Sequence, residues 1–266
     1  MRVLATGGTG VLGSHVVRRL RERGDEVRVL TRRPGVEGGA PGDLGSGSGL
    51  AAACSGADAV VHLASATGQV RLWQAVDVEG TRLLAQAAAR QEVGHLLYVS
   101  ILGVDRIPFA YYRAKWDAER ALAASGVPWT VLRLPQFHEL LDAAFRELAV
   151  APVLPLPRGV VVQPLASPDA ARVVVDTLDA GPRRAVVGAG GPQVLSGKEA
   201  AELWLAARRE AGGKAGRVLE VPLPGASLRA FREGWALMPD SKQPGMPFGE
   251  WARARFLSGQ GSAYRA

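Results

Sequence analysis

A tyrosine, a lysine and a serine in the first half of the chain have the types and spacing for proton transfer at a carbonyl group. Tyr111 and Lys115 stand four residues apart in a predicted helix, which places both side chains on one face. A free phenol has a pKa of about 10, and a nearby ammonium group lowers it, so that Tyr111 can serve as general acid or base. Ser100, at the carboxyl end of a predicted strand, would hold the carbonyl oxygen beside the tyrosine. Tyr-x-x-x-Lys also arises by chance. Its position after a predicted strand of the sheet favours a functional motif over a chance match.

A glycine-rich loop near residue 7 points to a dinucleotide. Three glycines follow a predicted strand and open a predicted helix. Glycines at this spacing allow a tight turn, a close approach of the backbone to a pyrophosphate, and close packing of helix on sheet. An ordinary glycine turn is the alternative, and the strand–loop–helix context favours a cofactor site. The predicted cofactor contacts of this loop are Gly7, Thr9, Gly10, Val11, Leu12 and Gly13.

The end of the second predicted strand indicates which form of the cofactor binds. Proteins that bind NAD usually place an Asp or Glu about 20 residues after the glycine loop, where it holds the ribose 2′-hydroxyl. This chain has Thr31, Arg32 and Arg33 there, and no acid. Two guanidinium groups suit bidentate capture of a 2′-phosphate, so the predicted cofactor is NADP(H). The alternative is a solvated arginine pair in an arginine-rich chain.

Strands alternating with helices must position these residues. Apolar runs predict strands at residues 3–6, 26–31, 58–64, 95–100 and 129–134, and helical periodicity predicts helices at 11–23, 70–90 and 111–125. The alternation predicts an α/β fold, namely a Rossmann-type doubly wound parallel sheet. The later segments, with a proline-rich, strand-like stretch at 151–164, are predicted to complete the sheet and form a small C-terminal cap on the substrate side. The whole chain, 1–266, would then be a single domain with its core over about 1–140.

The amino-acid composition argues against several classes of function. Of the 266 residues, 47% are hydrophobic and 21% charged, which is typical of a globular protein. A net charge of +7 favours an acidic partner. However, lysine occurs at only four positions and asparagine at none, so the arginine excess reflects a GC-rich genome in part. Without a recognition-helix motif, direct DNA binding is the weakest hypothesis, and no nucleic-acid partner is predicted.

The remaining reactive residue types predict neither a metal site nor a disulfide. Cys54 is the one cysteine, and the four histidines lack ligand spacing. His62 lies in an apolar strand, where a hydrogen-bonded core histidine is expected over a ligand. No apolar run is long enough to span a membrane and no charged leader follows Met1, so no membrane partner is predicted and the cytoplasm is the expected location.

Taken together, these motifs resemble the short-chain dehydrogenase/reductase superfamily in its atypical or extended branch, and within it the NmrA-like NAD(P)H-binding proteins. The matching segments are residues 6–13, 43–44, 60–65, 78–81, 98–100, 111–115, 125–133 and 136–138. The resemblance covers residues 1–140 well and the remainder loosely. It implies that Asp43 and Leu44 flank the adenine and that Ala64 and Ser65 lie along the cofactor. It also implies that Lys115 bonds the nicotinamide ribose, and that Leu134 and Phe137 border the nicotinamide.

Two hypotheses of function follow. The first is an oxidoreductase that transfers a hydride from NADPH to a small carbonyl or quinone-like substrate, with Tyr111 as the acid or base. The second is a non-catalytic NADP(H)-sensing regulatory or scaffold protein with a protein partner. The resemblance supports the second because the NmrA-like branch includes members that bind NADP without known turnover. In addition, superfamily enzymes often use an asparagine in a proton relay, where this chain has Asp77.

Overall fold

A computed structural model describes residues 1–149 and 152–264. The strands, in chain order, are β1 (Arg2–Thr6), β2 (Glu26–Thr31), β3 (Gly39–Pro41), β4 (Ala59–His62), β5 (His95–Ile101), β6 (Trp129–Leu134), β7 (Val153–Pro157), β8 (Val161–Val162), β9 (Val186–Gly188), β10 (Leu195–Ser196) and β11 (Arg217–Val221). The helices are α1 (Val11–Glu22), α2 (Leu50–Cys54), α3 (Gly80–Arg90), α4 (Ala110–Ala123), α5 (His138–Leu148), α6 (Ser167–Asp179), α7 (Gly197–Glu210), α8 (Ala226–Arg232) and α9 (Phe248–Leu257). These bounds agree with the predicted strands and helices of the first half to within a few residues, except for the helix predicted at 70–90.

A seven-stranded sheet runs in the order β3-β2-β1-β4-β5-β6-β9. The pairs from β3 to β5 are parallel, with Val3 opposite Val27 of β2 and Ala59 of β4. The apolar side chains of β1, β4 and β5 are buried because helices cover them, as in other parallel sheets. The predicted Rossmann-type parallel sheet is therefore confirmed. The chain reverses its direction of travel across the sheet between β1 and β4, and such a switch point is where this fold binds ligands.

Two compact units divide the chain. The first comprises Met1–Asp105, Phe109–Arg133 and Ala170–Val187, and its core joins Leu4, Val60 and Leu96 of the sheet to residues of α2, α3 and α4. The second comprises Arg106–Pro108, Leu134–Asp169 and Gly188–Ala266. The prediction of a single domain, with 141–266 as a substrate-side cap, stays a prediction.

The second unit has a core of its own, in which α5, α7 and α9 pack with β7. Trp204 of α7, Phe248 of α9 and Phe145 of α5 meet edge to edge, with ring centroids 5.9 and 6.2 Å from Phe145. Strand β7 begins at Val153; the predicted strand-like segment 151–164 starts at Ala151, which lies outside the described residues. The tail, where the sequence shows no regular pattern, contains α8 and α9.

The predicted helix at 70–90 differs from the structure in its first half. Val70–Leu72 is a 3₁₀ turn, Trp73–Glu79 is a π-helix, and α-helical geometry begins at Gly80. The wider π turn carries Asp77 into the protein, where it is 1% exposed and bonds polar groups of the loop after β4. Short π segments are rare and occur often at functional sites.

Two kinds of feature are absent from the described residues. No helix among them is both long and apolar enough to cross a membrane. No group of three or more His, Cys, Asp or Glu side chains in the same part of the chain has the arrangement of a metal site.

Candidate active site

The glycine loop connects β1 to α1 with very little space around it. Gly7 has φ +67°, and a Cβ there would stand 2.6 Å from the backbone nitrogen of Ala64, just beyond β4. A Cβ on Gly13 would stand 2.0 Å from the carbonyl oxygen of Gly7. Both positions therefore require glycine, the first for its backbone conformation and both for the close approach of neighbouring backbone.

The N-terminus of α1 keeps its hydrogen-bonding capacity free for a ligand. Gly10 is the capping residue, and no side chain in the described part of the protein caps this end. The first N–H groups of a helix have no partner within the helix, and the helix dipole makes them a site for anions. The loop residues named from the sequence therefore lie together at the carboxyl end of β1. They fit a pyrophosphate.

Arg32 and Arg33 lie at the end of β2, the strand next to β1 in the sheet. Both side chains are exposed, and within residues 1–149 and 152–264 neither guanidinium group forms an ion pair or hydrogen bond. The backbone N–H of Arg33 donates to the hydroxyl of Thr31 at 3.0 Å, which turns the chain at this point. Two unpaired cations beside the glycine loop can pair with a phosphate group.

Asp43 and Leu44 follow β3, on the same side of β1 as the arginine pair. One oxygen of Asp43 accepts from the backbone N–H of Gly45 at 3.1 Å, and Leu44 is buried. These contacts hold the loop in one conformation. The adenine contacts that the resemblance implies for Asp43 and Leu44 stay predictions.

The phenol of Tyr111, near the start of α4, contacts two hydroxyl groups of the loop after β4. Its oxygen lies 2.6 Å from Oγ of Ser65 and 3.3 Å from Oγ1 of Thr67. Ser65 in turn donates to Oδ1 of Asp77 at 2.5 Å, and the N–H of Ala66 donates to Oδ2 of Asp77 at 3.1 Å. Tyr111, Ser65 and Asp77 thus form a continuous hydrogen-bonded chain.

Lys115 is one turn along α4 and has a different partner from the one that the sequence predicts. Its Nζ donates to the carbonyl oxygen of Val99 at 2.9 Å and lies 4.2 Å above the ring of Tyr98. The side chain is 3% exposed. Burial lowers the pKa of Lys115 to about 8, and the charges of Asp77 and Glu119 oppose that decrease.

The pKa of Tyr111 moves in the direction opposite to the predicted one. Burial raises it, the hydrogen bonds with Ser65 and Thr67 lower it, and the charge of Asp77 raises it further. The expected decrease by Lys115 is absent among the described contacts, because the ammonium group is directed to Val99. The predicted lowering of the phenol pKa is wrong for the protein without cofactor.

Ser100, the third predicted catalytic residue, lies on β5 with its side chain 2% exposed. Its Oγ has no hydrogen-bond partner in the part of the chain that the structure describes. An unpartnered buried hydroxyl is costly, and a catalytic role is one of the reasons for which proteins retain such a group. The partners of Tyr111 are Ser65 and Thr67, and the predicted role of Ser100, to hold a carbonyl oxygen beside the tyrosine, stays a prediction.

Leu134 and Phe137, the residues predicted to border the nicotinamide, both belong to the second unit. Leu134 is the last residue of β6 and is buried. Phe137 precedes α5 and forms an isolated parallel bridge with Leu165. Their cofactor contacts also stay predictions.

Sequence spacing did not connect Ser65, Thr67, Asp77 or Trp73 with the tyrosine. Thr67 and Asp77 contribute hydrogen bonds, and the ring of Trp73 lies 5.2 Å from that of Tyr111. The sequence does contain a signal that could have placed residues 65–67 near the tyrosine. Residues 65–67 follow a buried strand, and the carboxyl ends of parallel strands meet at one edge of the sheet, where Ser100 also lies.

His62 is a hydrogen-bonded core residue, as predicted. Its Nδ1 is 2.6 Å from the hydroxyl of Thr6 and its Nε2 is 2.9 Å from that of Thr81. The ring is fully buried, and burial, with the charge of Lys115, lowers its pKa to about 3. His62 therefore ties β1, β4 and α3 together beneath the loop.

Comparisons with known proteins identify the family and the fold of the chain. The model of a family described as NAD(P)H-binding matches residues 7–180. The chain is 31% identical over 150 residues to a 2-alkyl-3-oxoalkanoate reductase of Stenotrophomonas maltophilia, covering 48% of this chain and 46% of that protein. It is 29% identical over 194 residues to an uncharacterized protein of Mycobacterium tuberculosis, covering 68% of this chain. The chain spans about half the length of the first relative and 21% of the second.

Solved structures resemble the chain over nearly its whole length. An NADPH-dependent quinone oxidoreductase of Escherichia coli, complexed with NADPH, has a TM-score of 0.78 at 18% identity and covers 96% of this chain and 99% of its own. MoeE5 in complex with UDP-glucuronic acid and NAD has a TM-score of 0.74 at 20% identity, with 96% and 98% covered. At such identities the likeness establishes the fold alone.

Proposed function

This chain belongs to the NAD(P)H-binding family, and on that premise we propose that it is an NADP(H)-dependent oxidoreductase that reduces a small carbonyl or quinone-like substrate. One observation carries the proposal: the phenol of Tyr111 is hydrogen-bonded at the carboxyl edge of the sheet, the edge that also carries the glycine loop. Dinucleotides bind beyond this edge in parallel sheets. A proton donor held there is in the region where a bound substrate would need one.

The chain's own residues would hold the pyrophosphate and the adenine of the cofactor. The free N–H groups at the start of α1 would bind the pyrophosphate. Asp43 and Leu44 would flank the adenine. When bound, the cofactor supplies a hydride to the substrate.

Tyr111 would supply the proton in the same reaction, and Ser100 would hold the substrate oxygen with its unpartnered hydroxyl. Lys115 would fix the end of β5 through Val99 and remain available to a ribose hydroxyl. Ala64, Ser65, Leu134 and Phe137 would line the cofactor, as the resemblance implies.

The preference for NADP(H) over NAD(H) rests on Arg32 and Arg33. Their guanidinium groups are exposed and without ion-pair partners in the described chain, beside a loop suited to phosphate. No carboxylate stands at the end of β2 to accept a ribose 2′-hydroxyl bond. The resembling structures contain NADPH in one case and NAD in another, so the support for NADP(H) comes from these two side chains.

NADPH oxidation in the presence of a carbonyl panel tests the proposal. The purified protein is mixed with NADPH and, in turn, 9,10-phenanthrenequinone, menadione and a 3-oxo ester, and absorbance at 340 nm is followed. Turnover that disappears in Tyr111→Phe supports the proposed reaction. Binding of NADPH without oxidation by any member of the panel contradicts it.

A second candidate is a non-catalytic NADP(H) sensor. It is favoured by the raised pKa of Tyr111 and by the direction of the Lys115 ammonium group, which bonds Val99 instead of activating the phenol. A sensor would bind a protein partner with an affinity that differs between NADP and NADPH. Equal affinity in the two states would contradict it.

The proposal also covers the binding partner of the protein and its location in the cell. We propose a small-molecule substrate in the cytoplasm, and no nucleic-acid or membrane partner. Titration of labelled duplex DNA at low salt tests the nucleic-acid point, because binding driven by charge is strongest there.

A further inference from the structure

We propose that Asp77, acting through the hydroxyl of Ser65, holds the proton that Tyr111 exchanges with the substrate. This inference rests on the proposed function, since it assigns the proton supply of that same site. It makes Ser65 and Asp77 positioning and relay residues, and it departs from the sequence-based expectation that Lys115 controls the tyrosine.

The route consists of two hydrogen bonds in series. The oxygen of Tyr111 is 2.6 Å from Oγ of Ser65, and Oγ of Ser65 donates to Oδ1 of Asp77 at 2.5 Å. The carboxylate is held in place, because its other oxygen accepts from the N–H of Ala66 and its own backbone carbonyl accepts from the hydroxyl of Thr81. The three proton-carrying groups therefore lie in a fixed order, from the partly buried phenol to a carboxyl group that is 1% exposed.

The direction of each bond follows from the number of protons available. An ionised carboxylate only accepts, so the single hydroxyl proton of Ser65 is directed to Asp77. Ser65 can then only accept from Tyr111, whose own proton points toward Ser65. In this state Tyr111 is prepared to take a proton from an alcohol. When Asp77 is protonated the order reverses, and Tyr111 is prepared to donate.

The proton step balances in both directions. During reduction, Tyr111 releases its phenolic proton to the substrate oxygen, Ser65 passes its proton to Tyr111, and the carboxyl group of Asp77 passes its proton to Ser65. A nicotinamide dinucleotide supplies the hydride. Asp77 ends as a carboxylate, and between turnovers a proton returns to it through Tyr111 and Ser65 along the same two bonds. Oxidation of an alcohol runs through the same bonds in reverse.

Lys115 is poorly placed for this task. Its Nζ is bonded to Val99 and lies over the ring of Tyr98, and no bond from it to Tyr111 occurs among the described residues. The charged and titratable groups near the relay are Asp77 on the π-helix, Tyr98 on β5, and Lys115 and Glu119 on α4. Of these, Asp77 is the one that also acts on the titration of Tyr111.

The titration of Tyr111 tests the relay without any substrate or cofactor. Protein labelled with [¹³Cζ]tyrosine is titrated by NMR, and Tyr111→Phe identifies the Tyr111 signal. Asp77→Asn removes a charge that opposes the phenolate, so the midpoint is expected to fall. When the phenol ionises, the Ser65 hydroxyl turns from Asp77 to donate to the phenolate; Ser65→Ala removes that bond, so the midpoint is expected to rise. The control Asp117→Asn, on the same helix but paired with Arg113, is expected to leave it unchanged.

A kinetic arm uses NADPH with 9,10-phenanthrenequinone as the probe. At saturating NADPH, Ser65→Ala is expected to lower kcat about 100-fold, and Ser65→Thr, which keeps the hydroxyl, is expected to restore most of it. An unchanged Tyr111 midpoint in both Ser65→Ala and Asp77→Asn, or wild-type kcat in Ser65→Ala, overturns the relay. If Asp77→Asn does not fold, the midpoint in Ser65→Ala decides alone. Shifted midpoints without oxidation of NADPH support the coupling and contradict the proposed function instead.

Discussion

The phenol oxygen of Tyr111 lies 2.6 Å from Oγ of Ser65, although the two residues are 46 positions apart in the chain. The bond joins the first turn of α4 to the loop after β4. It places the one tyrosine of the predicted Tyr-x-x-x-Lys motif at the carboxyl edge of the sheet. Four predictions follow from this site and the fold around it.

Replacing Tyr111 with phenylalanine should remove turnover and keep cofactor binding. The substitution deletes the proton donor but retains the ring that packs 5.2 Å from Trp73. We expect kcat to fall by about 10²- to 10⁴-fold, as for the loss of a general acid, with the Kd for NADPH unchanged. NADPH oxidation and NADPH fluorescence titration measure the two quantities. Tyr112→Phe, one residue along the same helix, is the control, and equal losses in both variants would refute the role of Tyr111.

Removing the arginine pair should weaken NADP binding selectively. Arg32→Ala/Arg33→Ala deletes two exposed cations beside the glycine loop, and charge-assisted bonds to a 2′-phosphate are worth about 1.5–3 kcal/mol. We expect affinity for NADP to fall about 10- to 100-fold and affinity for NAD to stay the same. Calorimetric titration with both dinucleotides measures this.

A matched control for the arginine pair is Arg208→Ala/Arg209→Ala on α7, which removes the same total charge. It should leave both affinities unchanged. Wild-type protein that binds NAD and NADP equally well would show that Arg32 and Arg33 do not recognise the phosphate.

Introducing a methyl group at Gly13 should disrupt the glycine loop. The new Cβ would stand 2.0 Å from the carbonyl oxygen of Gly7, which is backbone and cannot move away cheaply. We expect Gly13→Ala to lower the free energy of unfolding by about 1–3 kcal/mol and to abolish NADPH binding. Urea unfolding and fluorescence titration check the two effects.

Gly197→Ala is the control for Gly13→Ala, because Gly197 is also in the first turn of a helix and its nearest neighbour would be 3.5 Å away. It should leave stability unchanged or slightly higher, since alanine favours helices. Equal stability of the two variants would show that the backbone yields at Gly13.

His62 should make the protein less stable as the pH falls. Its pKa is about 3 in the folded protein, against about 6.5 for an unperturbed histidine, so the unfolded chain takes up a proton first. Stability is therefore independent of this group above pH 6.5 and is lost as the pH falls from 6.5 toward 3. His62→Gln keeps polar atoms for Thr6 and Thr81 but does not titrate. It should reduce the slope of the free energy of unfolding by up to about 1.4 kcal/mol per pH unit.

Urea midpoints between pH 6.5 and 4.5 measure this slope. The comparison is with His15→Gln, which removes a histidine that is only half-buried. A slope equal to the wild type in His62→Gln would mean that the ring is already charged in the folded protein.

The amino-acid sequence by itself determined the sheet and the cofactor loop. Apolar runs and helical periodicity are local patterns, and they predicted β2 and β6 to the residue. The glycines at 7 and 13 are equally local signals, because only glycine fits a position where backbone approaches within 3 Å. The glycine at each position therefore indicated that there is no space for a Cβ atom.

The tertiary structure alone decided which groups meet at the site. The bonds of Tyr111 to Ser65, of Ser65 to Asp77 and of Lys115 to Val99 join residues 46, 12 and 16 positions apart. Hydrogen-bond partners are chosen within about 3 Å, a scale that sequence spacing does not resolve. The π-helix shifted Asp77 into the protein, and burial reversed the predicted direction of the Tyr111 pKa. Desolvation depends on every neighbouring element at once, so only the folded chain could show it.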